Sequence, residues 1–281
     1  MDTRNGSVVR RRMLGRRLRQ LREDAGLTLD AAAPALDWST STLSRIETGQ
    51  QAPNVHAVRS MLDLYDVGGQ QWEELVTLTR EVRRKGWWRA YGFGDNTYVG
   101  FEAEACRVEE YTLAYVPGLL QIPEYSRALF LRAPFRRTPE EVENAVTVRM
   151  MRQRRLTSIE DPVELVAIID ELALHRPIGG RKVLREQLEH LIIAAELDTV
   201  SLHVLPAEVG ALGALASSFL VLSFGELGEP DIAYAEHALG AVQLAKEADV
   251  ELARLAFDQL RSEVFSPADS VALIGEVVAS M

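Results

Sequence analysis

The sequence contains one cysteine, Cys106, and no uninterrupted run of about 18 apolar residues. A lone cysteine can form neither an internal disulfide nor a cysteine zinc cluster, so we expect Cys106 to be a small core residue. The N-terminus is rich in arginine and no apolar stretch follows it, which argues against a secretory signal. These absences predict a cytoplasmic protein with no membrane span.

The sequence also lacks the residue spacings of a metal or catalytic centre. Its five histidines are scattered without HxH or HExxH spacing, so no metal and no cofactor is predicted, and His203 is expected to be a satisfied core residue. Asp170 and Glu171 form the one candidate acid and base pair, but no nucleophile accompanies them. The stretch GALGALA, 210–216, lacks phosphate-loop spacing and is predicted to be a small-residue loop. We therefore expect no enzyme; the alternative is a ligand-modifying activity that depends on Asp170 or Glu171.

Charge is distributed unevenly along the chain, whose net charge is -10. Residues 1–85 hold 14 Lys and Arg against 11 Asp and Glu, a net charge of +3, whereas residues 86–281 hold 17 against 30, a net charge of -13. Eight arginines lie within the first 22 residues. Basic clusters of this kind are typical of polyanion binding, although an arginine-rich solvated helix face has the same composition.

Five short helices are predicted in the first 85 residues. Leu14, Leu18 and Leu21 recur with helical period and predict a helix over about 8–24, with Gly26 at its C-cap. Three further helices are predicted to begin at polar N-caps, and a fifth spans about 70–85. The predicted N-caps are Thr28, Ser39 and Asn54.

The third of these helices exposes small polar side chains. Leu43 and Ile46 are three residues apart and are expected to face inward. The outer face then carries Thr40, Ser41, Ser44 and Arg45 near the start of the helix.

Residues 14–53, LGRRLRQLREDAGLTLDAAAPALDWSTSTLSRIETGQQAP, resemble the xenobiotic-response-element family of phage-repressor-type helix-turn-helix proteins. The resemblance implies a helix-turn-helix core at about 28–48, whose third helix enters the major groove of double-stranded DNA, and a homodimer. It makes Thr40, Ser41, Ser44 and Arg45 the base-facing candidates. It makes Thr28, Thr42 and Gln50 the phosphate candidates, and it pairs Arg22 with Glu47 in a structural salt bridge.

Two positions depart from this family pattern. Leu29 stands where many relatives have a phosphate-binding glutamine, so one anchoring contact is missing. Pro34 lies inside the short second helix, where it removes a backbone hydrogen bond, so this helix is expected to be short or bent.

Residues 86–281 are predicted to form an α+β domain with a mostly antiparallel sheet. Helices are predicted at 139–158, 180–197, about 246–263 and 267–280, and strands at 162–170, 200–206, 217–224 and 231–237. Ten of the 19 aromatic residues lie between Trp87 and Phe130, and they are interpreted as core packing, with an aromatic ligand pocket as the alternative.

Three segments of this region, GFEAEACRVEEYTLAYVPGLLQIPEYSRALF, DELALHRPIGG and LAFDQLRSEVFSPADSVALI, resemble the C-terminal domain of actinobacterial WhiJ-like regulators. In these antitoxin-like regulators the domain, of unknown function, follows the same helix-turn-helix. The resemblance implies a small partner protein encoded nearby, or an unknown small-molecule effector. The sequence departs from it at residues 208–219, where relatives usually have a histidine-containing loop.

The sequence thus predicts a DNA-binding domain over residues 1–85 and a regulatory, partner-binding domain over 86–281. The predicted function is sequence-specific transcription regulation. The alternative is an antitoxin-like protein-interaction module with weak DNA binding.

Overall fold

The computed structural model describes residues 8–94, 98–133, 137–209, 217–237 and 240–281. The chain divides into two compact units. The first ends at Glu104 and also includes Glu226–Glu229, and the second comprises Ala105–Gly225 and Pro230–Met281. The predicted domain boundary at residue 85 stays a prediction.

The first unit is helical. Its helices are α1 (Val8–Asp24), α2 (Leu29–Ala35), α3 (Thr40–Glu47), α4 (Val55–Leu64), α5 (Gly69–Val82) and α6 (Tyr98–Glu102), with a 3-10 turn at Trp87–Tyr91. Apolar side chains from α1, α3, α4 and α5 form one core. Its fully buried members include Leu14, Leu18, Leu43, Val58, Met61, Leu62 and Val76.

Side-chain caps set the starts of three helices. Thr28 Oγ1 accepts a hydrogen bond from the Ala31 amide at 3.2 Å, Ser39 Oγ accepts from Thr42 at 3.1 Å, and Asn54 Oδ1 accepts from Ala57 at 2.8 Å. These bonds satisfy amides that have no partner within the helix. The N-caps predicted from the sequence are therefore confirmed.

Helix α2 ends at Ala35, directly after Pro34. The Trp38 amide donates to the Ala33 carbonyl and the Asp37 amide donates to the Pro34 carbonyl, at 2.9 and 3.0 Å. Asp37 adopts the left-handed conformation at φ 57°, which such a helix end requires and which aspartate tolerates better than most residues. The turn between α2 and α3 is thus closed by backbone hydrogen bonds.

The second unit contains a six-stranded mixed sheet. Its strands are β1 (Arg107–Thr112), β2 (Glu164–Asp170), β3 (Val200–Leu205), β4 (Phe219–Ser223), β5 (Ile232–His237) and β6 (Gly240–Leu244), in the order β3-β2-β1-β4-β5-β6. Its helices are α7 (Pro123–Arg132), α8 (Pro139–Gln153), α9 (Glu171–His175), α10 (Arg181–Ala194), α11 (Glu247–Arg261) and α12 (Pro267–Ala279).

Three of the five strand pairings are antiparallel, and β1-β2 and β2-β3 are parallel. In register, Glu109 of β1 lies opposite Val166 of β2 and opposite Val221 of β4. Strand β2 is buried from Leu165 to Asp170, as expected for a central parallel strand covered on both faces. The α+β class is confirmed, and the sheet is mixed.

Within the described ranges, no helix combines the length and the apolar character needed to cross a bilayer.

Candidate nucleic-acid interface

Helix α3 lies directly against α1 at a glycine. A Cβ atom added to Gly15 would lie 2.6 Å from the Ile46 carbonyl oxygen and 2.5 Å from the Glu47 carbonyl oxygen. This contact leaves no room for a side chain, so the backbones of the two helices meet here. Leu43 and Ile46 of α3 are buried on the same side. The position of α3 is therefore set by backbone contact as well as by side-chain packing.

A buried ion pair joins the end of α1 to the end of α3. Arg22 Nε and Nη2 donate to the two carboxylate oxygens of Glu47 at 2.8 and 2.9 Å, and Arg22 Nη1 donates to the Leu27 carbonyl at 2.7 Å. Both side chains are buried. The hydrogen bond to Glu47 raises the pKa of Arg22 above its usual value. The pair that the resemblance implied is thus present, with bidentate geometry.

The outer face of α3 is polar and open. Thr40, Ser41 and Arg45 are exposed, whereas Ser44 is half-buried. The Arg45 guanidinium makes no hydrogen bond or ion pair with any described residue. It is therefore available to a partner, and its planar fork fits O6 and N7 of a guanine.

The three phosphate candidates differ in what their side chains already do. Thr28 Oγ1 caps α2 and Thr42 Oγ1 lies 2.9 Å from Ser39 Oγ, while Gln50 is exposed and its amide has no partner among the described residues. A hydroxyl that accepts one hydrogen bond can still donate its own hydrogen. The capping role of Thr28 therefore leaves a donor for a phosphate oxygen.

Leu29, the departure at the start of α2, packs against the apolar core of the first unit. Its side chain has no donor for a phosphate. The anchoring contact that many relatives have at this position is therefore absent.

A basic cleft of about 530 Å³ opens beside α3, and sequence reasoning did not find it. Thr42 and Asn54 contribute to its wall. Its cationic lining residues come from α1 and from the segment after α5. They are Arg11, Arg83, Arg84, Lys85 and Arg89. The run Arg83-Arg84-Lys85 was the only sequence signal for it.

The candidate acid and base of the second unit are both engaged in structural contacts. Asp170 is buried, and its carboxylate accepts from the Leu172 amide at 2.9 Å and from Tyr111 Oη at 3.3 Å. Burial raises the pKa of Asp170. Glu171 Oε2 accepts from the Ala207 amide at 2.9 Å. Both carboxylates therefore stabilise the end of β2 and its following turn.

Two single-residue predictions have opposite outcomes. His203 is buried, with its ring nitrogens 2.9 Å from Ser201 Oγ and 3.0 Å from the Phe265 carbonyl, so it is confirmed as a satisfied core residue. The prediction for Cys106 is wrong, because this residue precedes β1 at an exposed position, where its thiol donates to the Ser223 carbonyl at 3.3 Å.

The aromatic residues between Trp87 and Phe130 divide between the units, six in the first and four in the second. Trp88, Tyr111 and Tyr125 are fully buried. These three belong to core packing. The predicted loop at 210–216, together with most of the family departure at 208–219, lies outside the described residues.

The segment PGLLQ, 117–121, is held by a buried polar network. Gln121 Nε2 donates to the Val116 carbonyl at 2.6 Å, and Gln121 Oε1 accepts from Ser126 and Arg149 at 2.9 and 2.5 Å. Gln187 of α10 donates to the Leu120 carbonyl at 2.7 Å. This segment therefore has a structural role in connecting β1 to α7, α8 and α10.

Among the described residues, no three His, Cys, Asp or Glu side chains are grouped closely enough to hold a metal ion. The absence of a metal and of a cofactor stays a prediction.

Comparison with protein families gives two matches. Residues 13–75 match a helix-turn-helix domain, and residues 96–276 match a domain of unknown function, DUF5753. No curated protein and no solved structure matches the chain. The second match covers more than half of the 281 residues. The chain therefore belongs to the DUF5753 family and carries a helix-turn-helix domain in front of the family's domain of unknown function.

Proposed function

We propose that this protein is a sequence-specific DNA-binding transcription regulator of the phage-repressor class, acting in the cytoplasm. The observation that carries the proposal is the open polar face of α3, with the unpaired Arg45 guanidinium, on a helix fixed by Gly15 and by the Arg22-Glu47 pair. A rigid helix with a free bidentate donor is what major-groove readout requires. Thr40, Ser41 and Ser44 add weaker base contacts, and Thr28, Thr42 and Gln50 contact phosphates.

The protein acts as a dimer in this proposal. One such unit buries only about 600 to 1,000 Å² on DNA. Two units on half-sites about one helical turn apart combine their contacts, which is the usual route to useful affinity in this class.

The test is a fluorescence-anisotropy titration of the full-length protein. One duplex comes from the region upstream of its own gene, and the control duplex has the same composition in shuffled order. We expect tighter binding to the first duplex, with affinity that falls as salt rises. Equal affinity for both duplexes, or no binding at all, would contradict sequence-specific regulation.

We further propose that the C-terminal unit belongs to the WhiJ-like subgroup and binds a small partner protein or a ligand. Its support is the likeness of three segments to that subgroup, together with exposed Leu252 and Leu255 on α11, whose side chains are 65% and 58% accessible. The test is co-purification of the tagged protein with the product of the neighbouring small gene. Elution of the two proteins at separate volumes in size-exclusion chromatography would argue against a partner protein.

A second candidate function is an antitoxin-like interaction module with weak DNA binding. Leu29 favours it, because the phosphate anchor at the start of α2 is lost. It predicts that the two duplexes bind alike while the partner protein still co-purifies.

We also propose that the protein is not an enzyme. The capping and backbone contacts of Asp170 and Glu171 support a structural role for both. An activity on any ligand that disappears in Asp170→Asn or Glu171→Gln, with folding retained, would contradict this.

A further inference from the structure

The basic cleft beside α3 is built from two parts of the first unit that are far apart in sequence. Arg11 comes from α1, whereas Arg83, Arg84, Lys85 and Arg89 follow one another at the end of α5 and in the 3-10 turn after it. The opposite wall contains α3, α4 and the loop between them. The lining there includes Thr42, Ile46, Gln51, Ala52, Pro53, Asn54 and Ala57.

The charge in this cleft has one sign. Its lining, as far as the structure describes the chain, contains five cations and no carboxylate. Arg11 Nε donates to the Gly49 carbonyl at 2.6 Å, a neutral partner. Burial and the nearby charge of Arg12 lower the pKa of Arg11. The cleft therefore attracts an anion.

Stabilisation of helix α5 does not explain the cluster. Cations at the C-terminal end of a helix interact favourably with its dipole, and Arg83 and Lys85 stand at such an end. That effect explains neither the position of Arg11 nor the presence of hydroxyl and amide groups on the facing wall. The combination of several cations with neutral donors is instead typical of sites that bind phosphate oxygens.

We propose that the basic cleft binds the phosphate backbone of the DNA beside the half-site that α3 reads. The inference rests on the proposed function and deepens it, because it assigns to the segment 83–89 a contact with DNA outside the helix-turn-helix core. DNA is favoured over a free phosphorylated molecule because Thr42 belongs both to the cleft and to the helix that carries the base-facing side chains. A backbone passing α3 thus lies beside the cleft.

The expected signature is a change in salt dependence without a change in base preference. Each phosphate contact releases condensed counterions, so its loss lowers the slope of log K against log salt concentration by about 0.9. Phosphate contacts carry no base information, so affinity for specific and for shuffled duplexes should fall by a similar factor.

The experiment compares three full-length proteins on the specific duplex over a series of salt concentrations. They are the wild type, the variant Arg83→Gln/Lys85→Gln and the control variant Arg80→Gln/Lys182→Gln. The control loses the same charge at exposed positions outside the cleft. Circular dichroism melting of each protein checks that it is folded.

We expect the slope of the cleft variant to fall by about 1 to 2 while the control keeps the slope of the wild type. A cleft variant with the wild-type slope, or with the slope of an equally altered control, would overturn the proposal while the DNA-binding function stands. A wild type without specific binding would overturn the proposed function, and the inference with it.

A calorimetric titration with pyrophosphate in the absence of DNA distinguishes the two sources of phosphate. Saturable pyrophosphate binding that the cleft variant loses, together with an unchanged DNA slope, would assign the cleft to a free phosphorylated ligand and overturn its assignment to DNA.

Discussion

At the scale of single residues, the Arg22-Glu47 pair controls the orientation of α3 more than its base preference. Its two charges compensate each other and the third donor of Arg22 bonds a backbone carbonyl. A compensated buried pair adds little net stability, but a buried charge left alone is costly.

Arg22→Ala should therefore destabilise the helical unit by about 3 to 5 kcal/mol, because it leaves the Glu47 carboxylate buried without a partner. The matched control is Arg19→Ala on the same helix, which removes an exposed pair with Glu23 at 2.8 Å and should change stability far less. Thermal unfolding by circular dichroism measures both variants. An Arg22→Ala protein that melts like the wild type would contradict the anchoring role.

A residue of the second unit predicts a dependence on pH. Burial lowers the pKa of His190, on α10, below the usual 6.5, so the folded protein keeps this imidazole neutral. The unfolded chain takes up the proton first as pH falls, so this contribution to stability is lost below about pH 6.5.

We expect the melting temperature of the wild type to fall between about pH 7.5 and pH 5.5, and His190→Gln to make that fall smaller. His56→Gln, at an exposed position, is the control for loss of a histidine. An equal fall in wild type and His190→Gln would show that this imidazole does not contribute.

At the scale of elements, the contact between α1 and α3 depends on Gly15. Glycine inside a helix normally costs about 0.5 to 1 kcal/mol relative to alanine. Gly15 is retained in the middle of α1 where an added Cβ would lie within 2.6 Å of two carbonyl oxygens of α3.

Gly15→Ala should therefore destabilise the protein by about 1 to 3 kcal/mol, because the helices must separate. Gly275→Ala in α12 should instead stabilise it by about 0.5 to 1 kcal/mol, since nothing lies within 4 Å of the added Cβ. Chemical denaturation followed by circular dichroism compares the two. Equal effects of the same sign would show that the α1-α3 contact is not limiting.

The elements also differ in how far the sequence predicts them. The helices of the first unit begin where predicted because Thr28, Ser39 and Asn54 supply local caps, and local hydrogen bonds are visible in a local pattern. Strand β1 was not identified, since the buried Glu109 and Glu110 interrupt its apolar character. The edge strand β6 is short and mostly exposed, so it carries little apolar signal.

Long-range features were beyond local patterns. The parallel pairing of β1 with β2 joins strands separated by α7 and α8, and nothing in either strand specifies its neighbour. In the candidate site, the exposed face of α3 followed from the inward spacing of Leu43 and Ile46. The basic cleft could not be found in this way, because Arg11 and Lys85 meet only through the packing of α1 and α5.

At the scale of the whole molecule, the uneven charge agrees with the proposed division of roles. The first 85 residues are net positive and the rest strongly negative, so a polyanion is attracted to the first part alone. The proposed dimer would double the number of phosphate and base contacts on one DNA.

Sedimentation velocity of the protein with duplexes should therefore show two protomers on a palindromic duplex with half-sites about one helical turn apart. With half a turn of extra spacing, the second protomer should bind more weakly because the two half-sites face opposite sides of the DNA. A single protomer on every duplex would contradict dimeric binding.

The central claim, that α3 reads base sequence through Arg45, is tested most directly by selection from randomised duplexes with the full-length wild type and with Arg45→Ala. The account predicts that the wild type selects a guanine at one position of each half-site. It predicts that Arg45→Ala loses this preference, worth about 1 to 3 kcal/mol, and keeps the others. Gln50→Ala, which removes a phosphate candidate, should weaken binding while leaving every base preference intact. Identical base preferences in the wild type and Arg45→Ala would contradict the account.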